Sequence, residues 1–198
     1  GYDDLVIGAP GYDRGERDEG AAFLFLGGSN GLATRAFWIG EGNQANAAYG
    51  FAVSGAGDVN GDGFADILVG AYKFDAAARD DGRAFLYFGG RMISTNAAWT
   101  FDGGQTNCHL GNSVACAGDV NGDGFSDVII GAYRRSANLA DQGSAHLFLG
   151  SAKGLGQTPD WSVRGAAESA FFGWPVAGAG DVNGDGFSDV IVGAWGED

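Results

Sequence analysis

Three short acidic segments have the residue types and the spacing of a metal-binding loop. In the first segment Asp58, Asn60 and Asp62 occupy alternate positions, and Asp66 follows four positions later. Calcium takes roughly six to eight oxygen ligands at about 2.3–2.6 Å, several of them carboxylates. Gly61 stands between Asn60 and Asp62, and glycine tolerates the positive φ values that a sharp wrap requires. The pattern predicts Ca²⁺ binding.

Three Ca²⁺ ions are predicted, one for each segment, with ligands at equivalent positions. The side chains of the first, third, fifth and ninth residues and the main-chain carbonyl of the seventh residue would supply the oxygens. The predicted ligands are Asp58, Asn60, Asp62, Phe64 and Asp66; Asp119, Asn121, Asp123, Phe125 and Asp127; and Asp181, Asn183, Asp185, Phe187 and Asp189. Mg²⁺ fits this set less well, because it demands rigid octahedral geometry and keeps its waters.

Two other readings of these segments are an EF-hand and an acidic hairpin that binds nothing. An EF-hand needs an acidic ligand at position 12 and helices on both sides. Position 12 is apolar in all three copies, namely Val69, Ile130 and Val192, and the flanking residues have the character of strands. An empty hairpin would have no reason to keep every oxygen ligand three times. Both alternatives are therefore disfavoured.

The acidic segments belong to a repeat of about 60 residues. Asp58 and Asp119 are 61 positions apart, and Asp119 and Asp181 are 62 apart. Trp38, Trp99 and Trp161 keep the same period. A fixed period of this length indicates an array of identical structural units.

Each unit is predicted to contain four short strands. In the second unit these lie near 49–56, 66–71, 83–88 and 98–101, with glycine-rich turns between them and the acidic loop between the first two. The apolar run Ile67-Leu68-Val69 does not alternate with polar residues, as expected of a strand covered on both faces. The fold class is therefore all-β, with units of four antiparallel strands packed between neighbours, the pattern of β-propeller blades.

The segments 51–58 and 66–71, which read Phe-Ala-Val-Ser-Gly-Ala-Gly-Asp and Asp-Ile-Leu-Val-Gly-Ala, resemble the FG-GAP repeat of integrin α-subunit propellers. Phe172-Gly173 and Val192-Gly193-Ala194 show the same resemblance, which extends over essentially the whole chain. It implies a calcium loop between the first and second strands of each blade. It also implies an adhesive or protein-binding scaffold.

The repeat divides the single propeller segment 1–198 into four parts. These are a partial blade at 1–48 with strands two to four, complete blades at 49–109 and 110–171, and the first two strands of a further blade at 172–198. About three blades would not close a ring. We therefore expect either the remaining blades of a longer chain or a homo-oligomer, such as a dimer, that completes the ring.

The composition argues against nucleic acid and membranes as partners and against a disulfide. The formal charge is −14, from 25 acidic residues against 11 Lys and Arg, which disfavours nucleic acid and anionic membranes. No apolar run reaches the length of a membrane span, so membrane insertion is not expected. Cys108 and Cys116 would lie near opposite ends of one strand, too far apart for a disulfide.

The loops after the second strands are predicted to form the partner-binding face, opposite the calcium loops. Their sequences differ most between repeats, and variable loops on a regular scaffold commonly carry binding sites. Tyr72, Tyr133 and Trp195 open these loops at equivalent positions and are the candidate ligand contacts. His109 and His146 occupy non-equivalent positions with no evident catalytic partner, and we interpret both as structural.

The sequence thus predicts a non-enzymatic, calcium-binding scaffold located outside the cell, either secreted or on the surface. The ligand would be a protein or a glycan. Two alternatives remain open, a lectin with sugar sites between blades and the accessory propeller of a secreted enzyme.

Overall fold

The computed structural model describes residues 1–196. Within this range the chain forms four antiparallel sheets and no helix, which confirms the predicted all-β class. The strands are β1 (Leu5–Ala9), β2 (Ala21–Phe25), β3 (Trp38–Glu41), β4 (Ala52–Gly57), β5 (Asp66–Ala71), β6 (Arg83–Tyr87), β7 (Trp99–Asp102), β8 (Leu110–Gly118), β9 (Asp127–Ala132), β10 (Ser144–Phe148), β11 (Trp161–Arg164), β12 (Phe172–Gly180) and β13 (Asp189–Ala194).

The sheets follow the repeat of the sequence. Strands β4 to β7 form one four-stranded sheet and β8 to β11 form another, each with neighbours in chain order. Strands β1 to β3 form a three-stranded sheet, while β12 pairs only with β13. The first strand of the second sheet begins at Ala52 rather than near Tyr49, because Gly50 has φ +79° and Tyr49 bridges back to Gly20 of the preceding unit.

Apolar side chains from successive sheets form the core. Every residue of β5 and of β9 is buried, because a further sheet covers each side. Leu68 and Leu86 of the second sheet pack in one cluster with Val114 and Ile130 of the third. The outer sheets are more exposed, as at Ile191 on β13, which is 61% exposed.

Pairs of glycines let successive sheets approach each other closely. A Cβ atom on Gly70 of β5 would overlap the carbonyl oxygen of Gly111 in β8. Gly131 stands in the same relation to Gly173. The recurring glycines of the repeat are therefore required by backbone contact between blades.

The connections divide between two ends of the sheets. At one end, which we call the metal-loop face, the β4–β5 loop (58–65) meets the β6–β7 turn (88–98), and Gly89 N donates to Asp66 Oδ1 at 2.8 Å. At the other end, the opposite face, the β5–β6 loop (72–82) meets the β7–β8 connection (103–109), and Leu110 N donates to Asp81 O at 3.0 Å. The described part of the chain holds no helix with the length and apolar character that crossing a bilayer needs.

Candidate metal loops and the opposite face

The acidic segments fold into three loops of the same shape, which we call the first (58–66), second (119–127) and third (181–189) metal loops. In the first loop Asp58 Oδ1 accepts hydrogen bonds from Gly61 N at 2.7 Å and Asp62 N at 3.1 Å. Asp58 Oδ2 accepts another from Gly63 N at 2.8 Å. The wrap needs Gly61 at φ +75° and Gly63 at φ +88°. Asp119 and Asp181 organise the other two loops through the same contacts.

The ninth residue anchors each loop to its sheet. Asp66 is buried and accepts hydrogen bonds from Val59 N and Gly89 N at 2.9 and 2.8 Å. The pKa of Asp66 is raised to about 6, chiefly by burial and to a smaller extent by the nearby charges of Asp62 and Asp58, while two backbone hydrogen bonds act to lower it. The pKa of Asp127, in the second loop, is also raised chiefly by burial.

The donor chemistry of the loops fits a hard cation, although the side chains do not surround a single point. Asn60 Nδ2 donates to Asp62 Oδ2 at 2.9 Å, so the amide presents its nitrogen, rather than its oxygen, to that carboxylate. Among residues 1–196, no group of three or more His, Cys, Asp and Glu side chains is arranged as a metal site. The candidate ligands are nevertheless all oxygens; Asp62 is exposed, and Asp58 and Asn60 are half-buried.

Successive metal loops contact one another. Ser126 N of the second loop donates to Asp58 O of the first at 2.9 Å, and Ser188 N of the third loop donates to Asp119 O of the second at 2.9 Å. The Phe125 ring lies against Gly61, where a Cβ atom would be 2.6 Å from its Cε1.

A continuous row of aromatic rings lies on the opposite face. Tyr72 packs on His109 with ring centroids 5.3 Å apart, and His109 Nδ1 is 3.0 Å from the Tyr133 hydroxyl. Tyr133 packs on Trp174 at 5.3 Å, and Trp174 packs on Trp195 at 5.9 Å. The three candidate contacts predicted from the sequence, Tyr72, Tyr133 and Trp195, therefore belong to one surface.

Phe51 extends this row at its first end, and Phe171 packs within it. The Phe51 ring is 4.5 Å from Tyr72, and Phe171 contacts both Tyr133 and Trp195. We call the set the aromatic row; its members are Phe51, Tyr72, His109, Tyr133, Phe171, Trp174 and Trp195. Trp195 is 73% exposed and Phe51 is 46% exposed, whereas His109 is nearly buried. The repeat alone did not identify Phe51, Phe171 and Trp174.

Buried polar side chains hold the variable loops beside the aromatic row. Asp81 is fully buried, and its carboxylate accepts hydrogen bonds from Ala76 N, Ala77 N and Ala78 N at 2.9–3.3 Å. Glu19 and Gln142 do the same at equivalent positions, each immediately before a glycine. In the sequence, these supporting residues could be found as a polar residue that recurs immediately before Gly20, Gly82 and Gly143.

Glutamines join these loops from one blade to the next. Gln105 Nε2 donates to Ser136 O at 2.7 Å, and Ser136 N donates to Gln105 Oε1 at 2.8 Å. Gln44 makes the same pair of bonds with Asp75. The loops differ in sequence but share a fixed frame.

His146 and the two cysteines were also singled out from the sequence: the histidine has structural partners, and the cysteines form no disulfide. His146 lies between Ser144 and Ser162, 2.9 and 2.8 Å from their hydroxyl oxygens. Cys108 and Cys116 are both free, and Cys108 is buried.

The model of the FG-GAP repeat matches residues 49–87, 111–148 and 172–198, just over half of the chain. The chain is also similar to integrin alpha-5 of Xenopus laevis, with 31% identity over 99% of this chain and 19% of that protein. It is similar to integrin alpha-E of Mus musculus, with 32% identity over 78% of this chain and 14% of that protein.

Integrin alpha-V of Gallus gallus is 29% identical over 100% of this chain and 19% of its own length. The chain thus spans less than a fifth of these curated relatives. The repeat match, these similarities and the antiparallel sheets confirm the predicted family and its propeller blades of integrin α type. The chain belongs to the FG-GAP repeat family.

Proposed function

We propose that this chain is a calcium-binding propeller segment that binds a protein partner through the aromatic row, and that it is not an enzyme. The aromatic row carries the proposal, because its rings span three successive blades on loops that buried side chains hold in place. A rigid aromatic surface loses little conformational entropy on binding, which favours recognition. The proposed setting is extracellular, where calcium is plentiful enough to fill loops of modest affinity.

The three metal loops would each hold one Ca²⁺ ion and stabilise the blade that carries them. Asp58, Asn60, Asp62 and Asp66, with the Phe64 carbonyl, are the proposed ligands in the first loop, and equivalent residues serve in the others. An ion that binds only the folded state stabilises it by about 2.7 kcal/mol per site at a free concentration near 100 times the dissociation constant.

Calorimetric titration of chelator-treated protein tests the calcium sites directly. We expect three ions per chain and a higher melting temperature in millimolar Ca²⁺. Asp66→Asn should bind two ions. Asp4→Asn is the matched control, because Asp4 Oδ1 accepts from Gly27 N at 2.8 Å as Asp66 does from Gly89 N, yet Asp4 is not among the proposed ligands of the three metal loops. A melting curve that responds neither to chelator nor to Ca²⁺ would contradict the proposal.

The chemistry of the aromatic row favours a protein partner that presents a cationic side chain. Ring faces carry partial negative charge, and the chain has a formal charge of −14. Lys73 already makes such a cation–π contact within the chain, since its Nζ lies 5.4 Å from the centroid of the Tyr72 ring. Such contacts contribute about 0.5–2 kcal/mol each, so several rings together can hold a partner.

Selection from a displayed peptide library, in Ca²⁺, tests this surface. We expect Lys- or Arg-containing binders whose affinity falls at least tenfold with Tyr133→Ala. Met92→Ala, which alters an exposed side chain on the metal-loop face, should leave the affinity unchanged. Binders insensitive to Tyr133→Ala would contradict the assignment, and binding confined to a glycan array would favour the lectin alternative.

The two outer sheets suggest an additional partner. Leu5, Ile7 and Ile191 expose 41%, 44% and 61% of their surface on strands that are buried in the inner sheets. We propose that further blades of a longer chain, or a second copy of this one, cover these strands. Light scattering of the chain distinguishes the second case, because a second copy doubles the 20.2 kDa mass.

A further inference from the structure

In the second and third metal loops, the segment that carries the proposed carbonyl ligand also contacts the preceding metal loop. The Phe125 ring of the second loop lies against Gly61 of the first, and the Phe187 ring of the third loop lies against Gly122 of the second. A Cβ atom at Gly61 would be 2.6 Å from the Phe125 ring, and one at Gly122 would be 2.8 Å from the Phe187 ring. The contact therefore repeats at both junctions between metal loops.

Backbone hydrogen bonds reinforce the same junctions. Asp58 O of the first loop accepts from Ser126 N at 2.9 Å, next to Phe125. Val59 O accepts from Ser151 N at 3.0 Å, so the third blade also holds the residue after Asp58. The residues that begin the first loop are thus positioned by residues that end the second.

We propose that Phe125 and Phe187 are positioning residues for the metal loop of the preceding blade, and that adjacent metal loops consequently bind calcium cooperatively. This inference rests on the proposed calcium function. An ion in the second loop fixes the segment 125–126 that carries its carbonyl ligand. That segment in turn fixes residues 58–61, so the first loop loses less freedom when it binds its own ion. The coupling is reciprocal and falls to zero between the first and third loops, which share no such contact.

Two variants of the full chain, each with two intact metal loops, test the coupling. Asp185→Ala leaves the adjacent first and second loops, whereas Asp123→Ala leaves the first and third. Titrated with Ca²⁺ in a calorimeter, the adjacent pair should bind the second ion about fivefold or more tightly than the first. The separated pair should bind two ions independently. Equal behaviour of the two variants would overturn the inference.

Removing the ring isolates its role from that of the ligands. In the Asp185→Ala background, Phe125→Ala removes the ring but keeps the main-chain carbonyl that is the proposed ligand, so it should abolish the cooperativity while both ions still bind. Phe125→Leu, which keeps an apolar side chain for stability, should reduce it. Phe64→Ala deletes the equivalent ring from the first loop and leaves the Phe125 ring against Gly61 in place. It therefore measures the effect of the deletion on a loop's own affinity, and the cooperativity between the first and second loops should persist.

The outcomes separate this inference from the proposed function. Cooperativity that survives Phe125→Ala would overturn the positioning role. Calcium binding by three independent loops would overturn the coupling and leave the calcium function intact. Failure of the unaltered chain to bind Ca²⁺ at all would overturn both.

Discussion

His146 should make the stability of the fold depend on pH in the acid range. Its imidazole lies in β10 against the Phe101 ring of the neighbouring sheet, at a centroid distance of 5.8 Å, and is only 7% exposed. Burial, with a smaller effect from the positive charges of Arg135 and Arg164, lowers the pKa of His146 to about 4. The two serine hydroxyls that contact the ring satisfy its neutral form.

The direction and size of the effect follow from proton linkage. In the unfolded chain His146 has its ordinary pKa near 6.5, so between about pH 6.5 and pH 4 the unfolded state binds more protons than the folded state. The free energy of unfolding must therefore fall as the pH falls through this window. A shift of about 2.5 units corresponds to a loss of about 3 kcal/mol by pH 4.

Urea unfolding from pH 7.5 to pH 4, with constant millimolar Ca²⁺, measures this loss. The comparison with His146→Gln isolates the histidine, because glutamine can bond the same hydroxyls but does not titrate. Other groups cancel in the difference, including Asp66, whose raised pKa acts in the opposite direction. The wild-type chain should lose about 3 kcal/mol relative to the variant. A difference that stays constant with pH would refute the claim that His146 is held neutral by burial.

Two further predictions concern contacts between blades, each measured by urea unfolding. Trp99→Phe should destabilise the fold by about 2 kcal/mol. Phenylalanine lacks the buried indole N–H, so the main-chain carbonyl of Gly156 in the next blade loses the hydrogen bond that it accepts at 2.7 Å. Trp161→Phe, at the equivalent position but 40% exposed, should cost less than about 0.5 kcal/mol; equal costs would count against the interblade bond. Gly70→Ala should cost more than about 2 kcal/mol, because its Cβ would overlap the Gly111 carbonyl. Gly55→Ala, with open space around it, should be near neutral, and similar costs at both sites would contradict the close approach.

The periodic features of the fold could be predicted because each depends on residues close together in the chain. Residues 58–66 contain both the turn-forming glycines and the carboxylate of Asp58 that their main-chain N–H groups contact, so spacing alone describes the wrap. The run Ile67-Leu68-Val69 predicts a strand covered on both faces, and every residue of β5 is indeed buried. The repeat then transfers each local conclusion to the other units.

Contacts between units could not be predicted in the same way. Phe125 and Gly61 are in different repeats, and nothing local to either residue indicates that the ring of one lies against the other. Asp81 directly follows the variable residues 73–80, and its burial and three backbone hydrogen bonds make it the support of that loop. Burial depends on which strands pack together, and the pattern along one strand does not specify its neighbour.

The two faces of the molecule are mechanically linked through the strands between them. At the metal-loop face, the hydrogen bond from Ser126 N to Asp58 O sets the spacing of two blades. At the opposite face, Gln105 bridges to Ser136 and sets the spacing of the loops beside the aromatic row. Strands β5 and β9 join these ends and are buried along their whole length, so neither can shift independently of its neighbours. Ions in the metal loops would therefore limit the relative motion of the blades and, with it, the spread of Tyr72, Tyr133 and Trp195. Calcium and the protein partner should each strengthen the binding of the other, because thermodynamic coupling between two sites is reciprocal.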